Sequence, residues 1–183
     1  MASDATPIPK HISQLRCGLG WDVQVETELD LDMAVLALDS RGKVVDGKLG
    51  FIYAGHPHHH SGAIQLFNDN ITGEGEGDDE QLLIRLHVLP PEIAKLLFFV
   101  SIDCGKEQRQ DFSQTENAFW RILDNNSQQV IQYCPLYSHQ WCGVTTLFVA
   151  ELQRNNTQWQ LSARLEASAL NTFNALLHYY LSA

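Results

Sequence analysis

Along most of this chain apolar and polar positions alternate, or gather into short apolar runs, as strands do that cover one or both faces of a sheet. "WDVQVETE" (21–28) alternates, whereas "MAVLALD" (33–39) is an apolar run closed by the turn "DSRGK" and "LGFIYA" (49–54) is another closed by the loop "GHPHHHSG". "AIQLF" (63–67) leads into an acidic segment. After it come "LLIRLHV", "KLLFFVSID", "NAFWRILD", "QVIQYC", "VTTLFVAELQR" and "TQWQLSARLEA", with turn residues at "DNNSQ" and "RNNTQ". Short strands at such regular spacing predict an antiparallel β-sandwich. Only "SALNTFNALLHYYLSA" (168–183) changes period: Leu170, Phe173, Leu176, Leu177 and Tyr180 recur at helical spacing, which predicts one amphipathic C-terminal α-helix packed on the sandwich. "PPEIAK" (90–95) has prolines where a helix tolerates them, at its start, and predicts a short helical turn. The class is mainly β. Residues 1–16 read as a short N-terminal extension and 17–183 as one domain.

The run "DNITGEGEGDDE" (69–80) places six carboxylates, Asp69, Glu74, Glu76, Asp78, Asp79 and Glu80, in twelve positions with no Lys or Arg. Two like charges about 6 Å apart repel by about 3 kcal/mol at an effective dielectric near 20. A solvated loop avoids that cost, and so does a bound cation. Gly73, Gly75 and Gly77 alternate with acidic residues, so an extended chain projects the carboxylates to one side and bends freely around what they hold. Asn70 and Thr72 add neutral oxygens, as suits a hard cation that takes six to eight oxygen ligands. Upstream, Asp30 and Asp32 sit two apart at the mouth of an apolar strand, so both face the same way while Leu31 points opposite.

Charge reinforces this reading. The formal net charge is −10, and these eight acids with Asp22 account for nine of it, so one strongly anionic region sits on a nearly neutral protein. A non-specific nucleic-acid binder needs a basic footprint, which is missing. The longest apolar stretch, "KLLFFVSI", is too short to span a bilayer. The N-terminus carries no secretory or transit pattern, and the four cysteines form no CxxC pair, as expected of thiols in a cytoplasmic protein. Cys134, Cys142 and His139 match no familiar zinc spacing.

In order along the chain, "GLGWD" (18–22), "DLDMAVLALDSRGKV" (30–44), "DNITGEGEGDDEQ" (69–81) and "FSQTENAFWRILD" (112–124) resemble motifs of the TerD family of tellurium resistance and stress proteins. The resemblance runs from about residue 17 to the C-terminus. It implies a calcium-binding β-sandwich, with Ca2+ held by Asp30, Asp32, Asp69, Asn70, Glu74, Glu76, Asp78 and Asp79, and with Asp22 and Glu80 as further candidates. Glu76 stands where the family commonly has Asp. The implied role is a non-enzymatic binding or scaffold module in bacterial tellurite and general stress resistance. Implied partners are other resistance proteins, a membrane-bound resistance complex, or the inner membrane through calcium bridging.

Two other chemistries compete. His56, His58, His59 and His60 offer soft ligands, but consecutive imidazoles on one loop cannot all face one ion, and no nearby Cys or carboxylate completes a shell. A metal-dependent hydrolase would use the acidic cluster with His56 or His60 as general base. The chain contains no G-x-S-x-G elbow, phosphate loop or H-E-x-x-H to support catalysis. "SQTENAFWRI" reads as a strand of core aromatics whose polar start can contact the ion loop.

Overall fold

The computed structural model describes residues 5–22, 29–67 and 77–182. Two antiparallel sheets pack face to face. The six-stranded sheet has the order β1-β11-β10-β7-β3-β4, from β1 (Thr6–Pro7), β11 (Gln158–Ala167), β10 (Thr146–Asn155), β7 (Lys95–Ile102), β3 (Leu31–Leu38) and β4 (Phe51–Ile52). The five-stranded sheet has the order β5-β6-β2-β8-β9, from β5 (Ile64–Phe67), β6 (Glu80–Arg85), β2 (Gln14–Gly20), β8 (Phe119–Asp124) and β9 (Val130–Pro135). A four-residue helix, α1 (Gly105–Gln108), follows β7, and α2 (Phe173–Ser182) closes the described chain. The expected sandwich with a C-terminal helix is the architecture found.

The continuous apolar runs are explained by what covers them. In β3, Leu31, Met33, Val35 and Ala37 enter the core between the sheets with Phe98, Trp120 and Ile122. The alternate residues Ala34, Leu36 and Leu38 enter a second cluster, on the outer face, with Leu97, Phe99 and Leu176. A strand apolar on both faces must be buried on both, and α2 supplies the second cover. All five apolar positions expected on that helix, Leu170, Phe173, Leu176, Leu177 and Tyr180, belong to this outer cluster. Thr172 accepts the Ala175 N–H at 3.1 Å and caps its start.

Two local readings change. Residues 5–16, read from sequence as an extension, carry β1, which pairs with β11, and the start of β2; Ile8 is buried in the main core. "PPEIAK" makes a single reverse turn, with Ile93 N–H donating to Pro90 O at 3.1 Å, before joining β7. Short helical turns lie instead at Gly47–Gly50, Gly105–Gln108 and His139–Trp141. The strand expected at "WDVQVETE" falls largely outside the described residues.

Candidate metal centre

The four residues Asp69, Asn70, Glu74 and Glu76 lie outside the described residues; Asp22, Asp30, Asp32, Asp78, Asp79 and Glu80 are described. Asp30 and Asp32 line one cavity of about 490 Å³ together with Tyr53, Asp103, Cys104 and Glu107. Leu31 between them is buried in the core, the opposite facing that extended geometry requires. Asp103 N–H donates to Asp30 O at 2.9 Å, so the end of β7 is registered against the approach to β3. Residues 172–174, at the start of α2, form another wall. Asp103 and Glu107 were not singled out from sequence, because only the β3–β7 pairing brings them beside Asp30.

The end of the acidic segment is bonded to both sheets. Asp79 Oδ2 accepts the Trp21 N–H at 3.0 Å, and Asp79 N–H donates to Leu19 O at 2.8 Å. Glu80 Oε2 accepts the Met33 N–H at 2.7 Å, across the sandwich and one residue beyond Asp32. Asp78 turns away toward β8, where Arg121 Nε donates to its Oδ1 at 2.8 Å. One carboxylate of the run is therefore neutralised by an arginine forty-three residues further on. Asp22 Oδ2 accepts from Asn117 Nδ2 at 2.5 Å, so the polar start of "SQTENAFWRI" does contact an acidic candidate.

The "GLGWD" glycines make this approach possible. A Cβ on Gly18 would overlap the Asp78 carboxylate, and one on Gly20 would lie 2.5 Å from Gly77 O and 2.6 Å from the Phe119 ring. A side chain at Gly20 would press on the backbone of the acidic segment, and one at Gly18 would displace the Asp78 carboxylate. Beneath it, burial first and the Asp78 charge second push the Cys17 thiol well above its ordinary pKa. At the cavity, hydrogen bonding to Asp103, then the Asp103 charge, raise the pKa of Cys104, with burial, Glu107 and Asp30 adding smaller contributions. The Cys104 shift reports the acids around it, whereas that of Cys17 reports burial before charge.

A second group of ligand atoms lies elsewhere. Asp46, from the connection between β3 and β4, has Oδ2 3.6 Å from His59 Nε2 and 3.5 Å from His60 Nδ1. As argued from the sequence, the four histidines do not all face one point, but His59 and His60 share a carboxylate, that of Asp46, which the sequence argument did not find. The two rings lie 4.5 Å apart by centroid and converge on an acid that arrives from a different loop. Burial first, then the neighbouring His60, lower the His59 pKa, while Asp46 partly offsets them. Neither His56 nor His60, nominated as general bases, lines the cavity of Asp30 and Asp32, so the hydrolase reading gains no support. Cys134 is buried and Cys142 exposed; among the described residues they belong to no metal-ligating group.

Comparison with known proteins follows the same outline. The TerD domain model matches residues 5–180. The stress response protein SCP2 of Bacillus subtilis is 35% identical over 175 residues, 87% of this chain and 85% of that protein. The tellurium resistance protein TerD of Serratia marcescens is 35% identical over 164 residues, 88% of this chain and 82% of that protein. Among solved structures, a homologue of telluride resistance protein (TerD) from Streptomyces coelicolor superposes with a TM-score of 0.71 at 19% identity, covering 90% of this chain and 98% of that one. The fold is shared with that solved homologue, and the family model spans nearly the whole chain. This chain belongs to the TerD family.

Proposed function

We propose that the protein is a calcium-binding, non-enzymatic module of cytoplasmic stress and tellurite resistance, whose ion holds residues 69–80 against the start of β3. The observation that carries this reading is the meeting of Asp30 and Asp32 on one cavity while Glu80, at the end of the acidic run, bonds the backbone of Met33 beside them. The donor set is carboxylate oxygen, the chemistry that hard cations prefer to nitrogen or sulfur. Asp30 and Asp32 would hold the ion from the strand; Asp69, Asn70, Glu74 and Glu76 would hold it from the acidic segment, with Asp79 and Glu80 anchoring that segment. Asp22 and Asp78, bonded to Asn117 and Arg121, would act mainly by placing the segment.

Calcium here supplies charge neutralisation and order. With the ion bound, the carboxylates tolerate one another and the edge presents a defined, less anionic surface to partner proteins, among them other tellurium-resistance proteins or a membrane-bound complex. Among the described residues no helix is long and apolar enough to cross a membrane, so contact with such a complex would be peripheral.

Thermal melts test the reading. Binding to the folded state alone adds about 2.7 kcal/mol at a hundredfold excess over Kd, equivalent to about 5–10 °C in Tm for a chain of this size. Calcium should produce that rise, magnesium much less, and EGTA should reverse it. No shift with calcium would discard the reading.

A further inference from the structure

We propose that Asp46, His59 and His60 form a binding site for a divalent transition metal of the zinc class, separate from the carboxylate cage. Two loops build it. Asp46 and Gly47 both adopt left-handed backbone conformations, with φ of 58° and 59°, in the turn that follows Val45. On the facing loop, His59 N–H donates to Ile64 O at 3.0 Å and Gly62 N–H to His59 O at 2.9 Å, which fixes the hairpin that carries both histidines.

His59 is the decisive residue. Its side chain is wholly inaccessible, yet its Nε2 has no hydrogen-bond partner among the described residues and lies near Asp46 Oδ2. A buried ring nitrogen normally finds a partner, and a separation of 3.6 Å is too long for a hydrogen bond. The spacing does suit shared coordination. Metal–ligand bonds of about 2.0–2.1 Å in a tetrahedron give ligand–ligand edges of about 3.3–3.4 Å, close to the 3.6 and 3.5 Å that separate Asp46 Oδ2 from the two imidazole nitrogens. The three ligand atoms all lie within 4.8 Å of one another.

The surroundings supply what such a site needs. His59 Nδ1 lies 2.7 Å from Ser61 Oγ and accepts a longer contact, 3.3 Å, from the Ser61 N–H; in the tautomer that donates Nδ1–H to the closer hydroxyl, the Nε2 lone pair is left directed toward Asp46. Two imidazoles and one carboxylate favour zinc, copper or nickel over calcium or magnesium. Three protein ligands leave a fourth position for water. Asp46 and His60 are both exposed enough for an ion to enter from solvent.

The test is calorimetric titration of the full chain with zinc, in excess calcium so that the carboxylate cage is filled. One equivalent should bind, and His60→Ala and Asp46→Asn should each weaken binding at least about tenfold while leaving the calcium response unchanged. His58→Ala, at an exposed position outside the cluster, should retain full affinity. Nitrogen NMR of the unsubstituted protein should show zinc moving the His59 Nε2 resonance. Absence of stoichiometric binding overturns the proposal, as does retained affinity in both variants, an equal loss in His58→Ala, or zinc shifts confined to His56 and His58.

Discussion

Glu80 Oε2 accepts the backbone N–H of Met33 at 2.7 Å, joining β6 of one sheet to β3 of the other through a carboxylate that is 1% exposed. The bond fixes where the acidic segment ends relative to Asp32. Removing the acceptor leaves a buried N–H unsatisfied, so Glu80→Ala should destabilise the fold by about 1–3 kcal/mol in urea denaturation. Glu80→Gln keeps an oxygen that can accept the bond and should recover most of the loss. Equal destabilisation by the two variants would show that the charge, not the bond to Met33, matters at this position.

Gly18 is small because Asp78 lies on it. Gly18→Ala should push Asp78 out of its pairing with Arg121 and cost about 1–3 kcal/mol by overpacking, as other insertions into tight contacts do. It should also reduce the Tm rise produced by calcium, because Asp78 loses its seat on β2. A melting curve and calcium response like those of the unsubstituted protein would contradict that seating.

The negative potential of the Asp30 cavity can be read through Cys104. Its raised pKa comes first from Asp103, by hydrogen bond and then by charge. Asp103→Asn removes the charge, lowers the thiol pKa and raises the thiolate fraction at a fixed mildly alkaline pH. Alkylation of Cys104 should therefore speed up, measured in a Cys142→Ser background because Cys142 is also exposed. An unchanged or slower rate would count against the arrangement of acids around this thiol.

Asp124 provides a pH signature in the turn between β8 and β9. Its carboxylate accepts the Ser127 hydroxyl at 2.6 Å and the Asn126 N–H at 3.1 Å, and these bonds, the hydroxyl first, lower its pKa. A carboxyl with a depressed folded pKa adds stability that is fully present above its ordinary value and disappears as pH falls through the folded value. Asp124→Asn should thus lower the urea midpoint near neutrality, with the gap closing below about pH 4. A gap independent of pH would assign the loss to packing.

Sequence pattern carried the sandwich and the face of α2 because both rest on local periodicity. Asp30 and Asp32 were legible for the same reason: two residues apart on a strand, they share a side whatever the rest of the chain does. The partners that complete each region are distant in sequence. Arg121 reaches Asp78 only because β2 pairs with both β6 and β8, and Asp103 reaches the cavity only through the β3–β7 ladder. Asp46 escaped notice because nothing in "VVDGK" signals a meeting with a histidine loop thirteen residues later. The two prolines of "PPEIAK" suit a helix start and a reverse turn equally, and the adjoining strand decided the outcome.

The most direct measurement is calcium titration by calorimetry of the unsubstituted protein and of an Asp30→Asn, Asp32→Asn double variant, both first stripped with EGTA. Saturable binding that the double variant loses, with that variant also melting higher than the unsubstituted protein when calcium is absent, is the predicted result. Undiminished calcium binding by the double variant, or no binding by either protein, would contradict the account.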